Sequence, residues 1–289
     1  MDLYMLLLLS VCAASLNNTL LHKAALSDKK QIYCFNLGCS AVWIILLFVA
    51  NKCTFHMDKE VLLWGLAYGI MQMLFFVFKT GAMTTGPVSV TTLIGNCSML
   101  VSILLSAILW KEPIGVQQCI GIVLLLIAVF LCTDTKTDSS LSRRWVVYCI
   151  GFFLVAGLLG IVIKLFSKSW AGEKRPGDTM IVVAAVMMIV LSVLLVKEQW
   201  KTKQRSNGSR LKRSYAPLMI ACGILSCGYS RLNVWLTKQL PGAFFFSAFN
   251  GGVIIVAALL SVVLLKEKMT VKKSLGLVIG CLAIVVLGF

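Results

Sequence analysis

The sequence predicts an all-α polytopic membrane protein, with ten transmembrane helices arranged as a 5+5 inverted-topology repeat. Three observations predict it. Of the 289 residues, 59% are hydrophobic and only 13% charged, against about 45–50% and about 25% in a soluble domain. The apolar residues are gathered into runs of about 20, the length that a spanning helix needs. Finally, residues 86–132 align without gaps on 241–287, so that one span pair and the turn between it occur twice.

The runs cover 3–22, 31–50, 60–79, 88–109, 114–132, 145–164, 178–196, 215–235, 243–265 and 270–288. Each is longer than a transmembrane strand, and lipid admits only helices or closed barrels, so length favours helices. The first run lacks a basic leader and is followed by nine more, which argues against a cleavable signal. Polar residues at 133–144 separate spans five and six, and the longer break at 197–214 is strongly basic. These breaks divide the chain into a first five-helix repeat at 1–133, a linker at 134–144 and a second five-helix repeat at 145–289.

Within the aligned segments the identical pairs include Val101/Val256, Ser106/Ser261, Leu109/Leu264, Lys111/Lys266, Glu112/Glu267 and Gly121/Gly276. Apolar matches arise easily in any membrane protein. A Lys-Glu pair at the same point between two spans does not. Upstream, Lys23 and Lys164 close the first span of each half. Five is odd, so the halves must insert with opposite orientation.

The formal charge of +16, from 27 Lys and Arg against 11 Asp and Glu, would suggest nucleic acid in a soluble protein. Here the basic residues lie mostly between apolar runs, where they set topology and meet anionic headgroups, so no nucleic-acid partner is expected. Most of them fall on the side of the first interspan loop, which by the positive-inside rule puts both termini outside. Ten of the 11 cysteines lie inside apolar runs, without CxxC spacing or a Cys/His cluster. They are expected as small packing residues, with no metal site and no cofactor. No HExxH helix, paired intramembrane Asp or Ser/His dyad is present, so no catalytic residues and no enzyme activity are expected.

The acidic residues all fall at span ends or in loops, which argues against a proton/cationic-drug antiporter built on a midplane carboxylate. Amide and basic groups reach further in. Asn17, Asn18 and Lys23 lie in span one, Gln72 in span three and Asn96 in span four. Lys164 closes span six, Tyr229, Arg231 and Asn233 lie in span eight, and Asn250 in span nine. An amide in hydrocarbon needs a partner, whether a helix, a water-filled cavity or a substrate. The ten are therefore the expected substrate-binding residues. The rival reading makes the amides interhelical glue and the cations snorkelling groups. Arg231 stands out because a guanidinium can hold a carboxylate or phosphate with two parallel bonds. The Lys111-Glu112 and Lys266-Glu267 pairs read as stabilisers of tight turns.

Gly86-Pro87-Val88, then Leu109-Trp110-Lys111-Glu112-Pro113 and Gly121, are followed in the second half by Leu240-Pro241-Gly242-Ala243, Leu264-Leu265-Lys266-Glu267-Lys268 and Gly276. In this duplicated placement the chain resembles the drug/metabolite transporter superfamily, and within it the EamA-type bacterial branch. Ser15-Leu16-Asn17-Asn18 stands where that family usually has a Trp-Gly-Ser-Asn-like stretch. The resemblance implies a secondary transporter of a small solute, with export as the expected direction. Basic and amide groups without a midplane carboxylate make a small polar metabolite, such as an amino acid or related organic anion or zwitterion, the expected solute. It also implies a bacterial inner (plasma) membrane and cytoplasmic termini, opposite to the charge count. The partners expected are the small-molecule substrate and the bilayer, and a homodimer is compatible with the sequence. The alternatives are a non-transporting structural or receptor-like membrane protein and, within transport, a broad-specificity or nucleotide-sugar-type carrier.

Overall fold

A computed structural model describes residues 2–23, 29–86, 88–112, 114–132, 142–203, 215–265 and 270–288. The described elements are all helices: α1 (Leu3–Lys23), α2 (Lys29–Ala50), α3 (Lys59–Thr85), α4 (Val88–Cys97), α5 (Met99–Trp110), α6 (Val116–Cys132), α7 (Arg143–Lys168), α8 (Trp170–Lys174), α9 (Pro176–Lys203), α10 (Ala216–Gln239), α11 (Gly242–Leu265) and α12 (Val271–Gly288). Seven stretches among the described residues are long and apolar enough to cross a membrane: α1, α2, α3, the α4–α5 pair, α7, α9 and α11. Two shorter apolar helices, α6 and α12, accompany them. The chain is thus an integral, polytopic membrane protein. Its apolar side chains face outward along much of the bundle, as Ile108, Val123, Ile150, Ile189 and Val278 do, because hydrocarbon rather than water surrounds them.

Every apolar run of the sequence coincides with a helix, with one departure. The fourth run is broken at Ser98, where the backbone N–H bonds to Gly95 O at 3.2 Å, three residues back rather than four. The Ser98 hydroxyl takes up the same carbonyl, and this side-chain competition ends α4. The sequence linker lies mostly outside the described residues; its last two members, Arg143 and Arg144, open α7 instead, with Ser142 accepting the Trp145 N–H as N-cap.

The helix pairings come in matched sets. Helix α1 packs on α10 and α11, while α7 packs on α3 and on α4–α5. Helix α2 packs on α10, while α9 packs on α3. Between the two groups, α2 meets α9, α5 meets α11 and α6 meets α12. Polar ties set the registers. Along the parallel α4–α5 and α7, Trp145 Nε1 donates to Thr91 Oγ1 at 3.0 Å and Ser102 Oγ to Gly157 O at 2.8 Å. Gly157 has to be small, since a Cβ would overlap Val101 Cβ in α5 and stand 3.0 Å from Ser98 O, at the break itself. Helices α1 and α11 are likewise parallel, with the Tyr4 and Phe244 rings 5.9 Å apart near their starts and Ser15 Oγ donating to Val253 O further along.

Candidate functional site

The bundle end at which α1, α9 and α11 begin carries a buried ion pair. Lys164, in the last turns of α7, is 1% exposed, and its Nζ donates to Glu112 Oε1 at 2.6 Å and to Ser106 Oγ at 2.8 Å. Trp110 lies under the ammonium, 4.6 Å from Nζ to the ring centroid, a favourable cation–π position. The other carboxylate oxygen of Glu112 accepts the Gly242 N–H at 2.7 Å and the Ser106 hydroxyl at 3.0 Å. Glu112 therefore caps the first residue of α11, where an anion is favoured by the unpaired N–H groups and the helix dipole.

Local structure makes this reach achievable. Helix α5 ends at Lys111, which adopts the left-handed conformation (φ 51°, ψ 34°) and turns the chain so that Glu112 folds back toward Ser106. Gly242 is needed at the other side, because a Cβ there would overlap Ser106 Oγ and approach Lys164 Nζ to 2.7 Å. Three spans are thus tied at one point. Glu112 lies outside the spanning helices, and burial pushes its carboxyl up. The bonds from Lys164, the Gly242 N–H and Ser106, with the Lys164 charge, outweigh that and hold it below the ordinary glutamate value.

The described side chains among the ten residues singled out in the sequence have different surroundings. Lys164 has an acidic partner, Glu112, which the sequence reads as part of a tight turn. Asn233 accepts from Ser10 Oγ at 2.7 Å and so ties α10 to α1. Asn250 donates to Phe246 O of its own helix. Both act as structural bonds. Gln72, Asn96 and Tyr229 are half-buried and Asn18 is exposed, with Tyr229 within electrostatic reach of Tyr68. The Lys23 side chain lies outside the described residues. Asn17 differs from the rest: it is 6% exposed and its Oδ1 has no hydrogen-bond partner. In the register set by Ser10 and Asn233 it lies about 10 Å deeper than Ser10, at 1.5 Å per residue.

Arg231 is exposed and lies elsewhere, in an open cavity of about 690 Å³ at the same end as the Lys164 pair. The end of α2, the loop after it, α8 and the first turn of α9 form the remaining walls. Among the described residues no group of three His, Cys, Asp or Glu side chains is placed to hold a metal ion. Sequence reading missed the Lys164–Glu112 pair, although both halves of the signal were visible: a charged residue closing an apolar run and a Lys-Glu turn between two others.

Residues 3–133, a little under half of the chain, match the family model of the EamA-like transporter family. Members of that family are membrane transporters, not enzymes. An uncharacterized protein of Haemophilus influenzae is 24% identical over 226 residues, covering 76% of this chain and 72% of its own. A protein of known crystal structure, 14% identical in sequence, superposes with a TM-score of 0.71 over 98% of each chain. That likeness concerns the fold alone.

Proposed function

We propose that the protein is a secondary transporter of a small polar metabolite, working by alternating access between two five-span halves. The observation that carries this reading is the matched pairing of helices. This reading counts α4–α5 as one span, leaves out the short α8 and takes each remaining helix as a span, ten in all. Exchanging spans one to five with six to ten turns α1–α10 into α7–α3, α1–α11 into α7–α5 and α2–α10 into α9–α3, and leaves α2–α9, α5–α11 and α6–α12 unchanged. Two halves related in this way can rock about a central site. Span four is interrupted at Ser98, beside Asn96, and Asn17 holds an unpaired acceptor inside the bundle; both are features that a solute path would use. In this reading the Lys164–Glu112 pair closes one end, and the solute is an amino acid or related organic anion or zwitterion, exported across a bacterial plasma membrane.

The test is flux into proteoliposomes of a panel of amino acids and small carboxylates. The expected result is saturable uptake of at least one solute, reduced severalfold by Asn17→Ala and Asn96→Ala. No saturable flux for any solute, together with no solute-dependent rise in thermal midpoint, would favour the receptor-like alternative.

A further inference from the structure

We infer that the cavity beside Arg231 is an oxyanion-binding mouth, where the carboxylate or phosphate of an anionic solute docks at the bundle end before it moves inward. The inference rests on the transporter reading, and it adds a site apart from the amides within the bundle.

The argument is one of charge left over. The cavity lining carries a single carboxylate, Asp178. It is already engaged: Asn51 Nδ2 donates to one of its oxygens at 2.9 Å and Arg175 Nη1 stands 3.5 Å from the other. Arg175 in turn lies 3.7 Å from Asp58. The remaining acid nearby, Glu173 on α8, is held by Lys238 at 2.6 Å. Every carboxylate around the cavity thus has a cation, while Arg231, exposed and in the lining, has no carboxylate partner among the described residues. Lys174, also exposed in the lining, faces only the charge of the neighbouring Glu173, which Lys238 already holds. His56 and the first turn of the 28-residue helix α9 complete the wall, and the helix terminus adds positive potential.

Uncompensated cations in a concave wall concentrate anions. An arginine supplies the planar fork that matches a carboxylate or phosphate, and a lysine adds a point charge. A volume of about 690 Å³ falls in the range of small-molecule sites, about 300–1,000 Å³. Arg231 comes from α10 of the second half, which packs on α1 and α2 of the first, so an anion held here rests against a helix that joins the two halves.

The same chemistry is offered by a free solute and by an anionic lipid headgroup, and the experiment separates them. Full-length protein is placed in nanodiscs of phosphatidylcholine alone, or with phosphatidylglycerol added. Succinate and inorganic phosphate are titrated by calorimetry, with uncharged succinamide as the control. In the phosphatidylcholine discs at least one of the two anions should bind and succinamide should not. Arg231→Gln should weaken that binding tenfold or more and Lys174→Gln severalfold. Both side chains are exposed, and a thermal midpoint equal to wild type verifies that each variant is folded. Absence of anion binding, or binding unchanged in Arg231→Gln, overturns the inference. Retention of phosphatidylglycerol lost in Arg231→Gln, without binding of either anion, also overturns it, since the site is then a lipid site. Flux is measured separately. Anion binding without transport keeps the site and removes the transporter reading, whereas saturable transport unaffected by Arg231→Gln does the reverse.

Discussion

Two lysine–glutamate pairs of equal length, 2.6 Å, lie at the same end of the bundle in different surroundings. Lys164–Glu112 has side chains 1% and 23% exposed, and Lys238–Glu173 has 37% and 44%. At the exposed pair, water competes for both partners, so little is gained by closing it. At the buried pair the ammonium has lost its water entirely, and Glu112, Ser106 and the Trp110 ring replace the shell. The cost of desolvation has been met already, so the pair is worth most when one member is taken away. Distance alone says nothing about this difference. Burial and the number of replaced water contacts decide it.

Removing one charge should give the largest effect. Glu112→Gln leaves Lys164 buried and uncompensated, an expected loss of about 3–5 kcal/mol. Lys164→Met, which leaves the partly exposed Glu112 with the Gly242 N–H and Ser106, should cost less; both are measured by thermal or denaturant unfolding in detergent. The double variant should recover most of that loss. A double variant as unstable as the sum of the singles would show that the two groups are not a pair in the folded protein. Gly242→Ala should come next, at about 1–3 kcal/mol for overpacking, because the added Cβ overlaps Ser106 Oγ. Combining it with Ser106→Gly should relieve the overlap, though the serine's own bonds are then lost.

Acid should act on the buried pair with a defined sign. The folded-state pKa of Glu112 is lowered from the ordinary value of 4.5, so its contribution is complete above that value. It is lost as pH falls through the lowered folded-state value, where the unfolded chain has already taken up its proton. The unfolding midpoint of the wild type should therefore fall below that of its pH 7 state by more than the midpoint of Glu112→Gln does over the same acid window. Equal losses would remove Glu112 from the account. The smallest effect is expected at the exposed pair. Hydrogen bonding and the charge of Lys238 lower the pKa of Glu173, yet Lys238→Ala should leave the unfolding midpoint within the scatter of repeated wild-type measurements, with any residue of an effect removed by salt.

The helices were legible from the sequence because lipid fixes their length and removes the alternatives, and each apolar run did become a helix. The break at Ser98 was not legible. It depends on a hydroxyl competing for the Gly95 carbonyl, and many serines inside helices bond their own backbone without breaking it, as Ser192 does. Among the candidate residues, type indicated the need for a partner but not its identity. Asn233 found Ser10, 223 positions away, Lys164 found Glu112, and Asn17 was left with an unpaired oxygen. Arg231 was expected among the amides within the bundle and instead lines the end cavity, because α10 brings it level with Asn51 at the end of α2.

The sequence by itself determined that this is a polytopic helical membrane protein, and through Lys111-Glu112 and Lys266-Glu267 that a turn is repeated. It also carries an asymmetry: the position aligned with Gly242 is Pro87, which has no N–H to donate. Which charges meet was decided only by tertiary structure. Apolar periodicity and length are local properties, set by the solvent around one helix. The contact of Lys164 with Glu112 and the N-terminus of α11 joins three spans that are remote in sequence, and its energy comes from the water that their packing excludes.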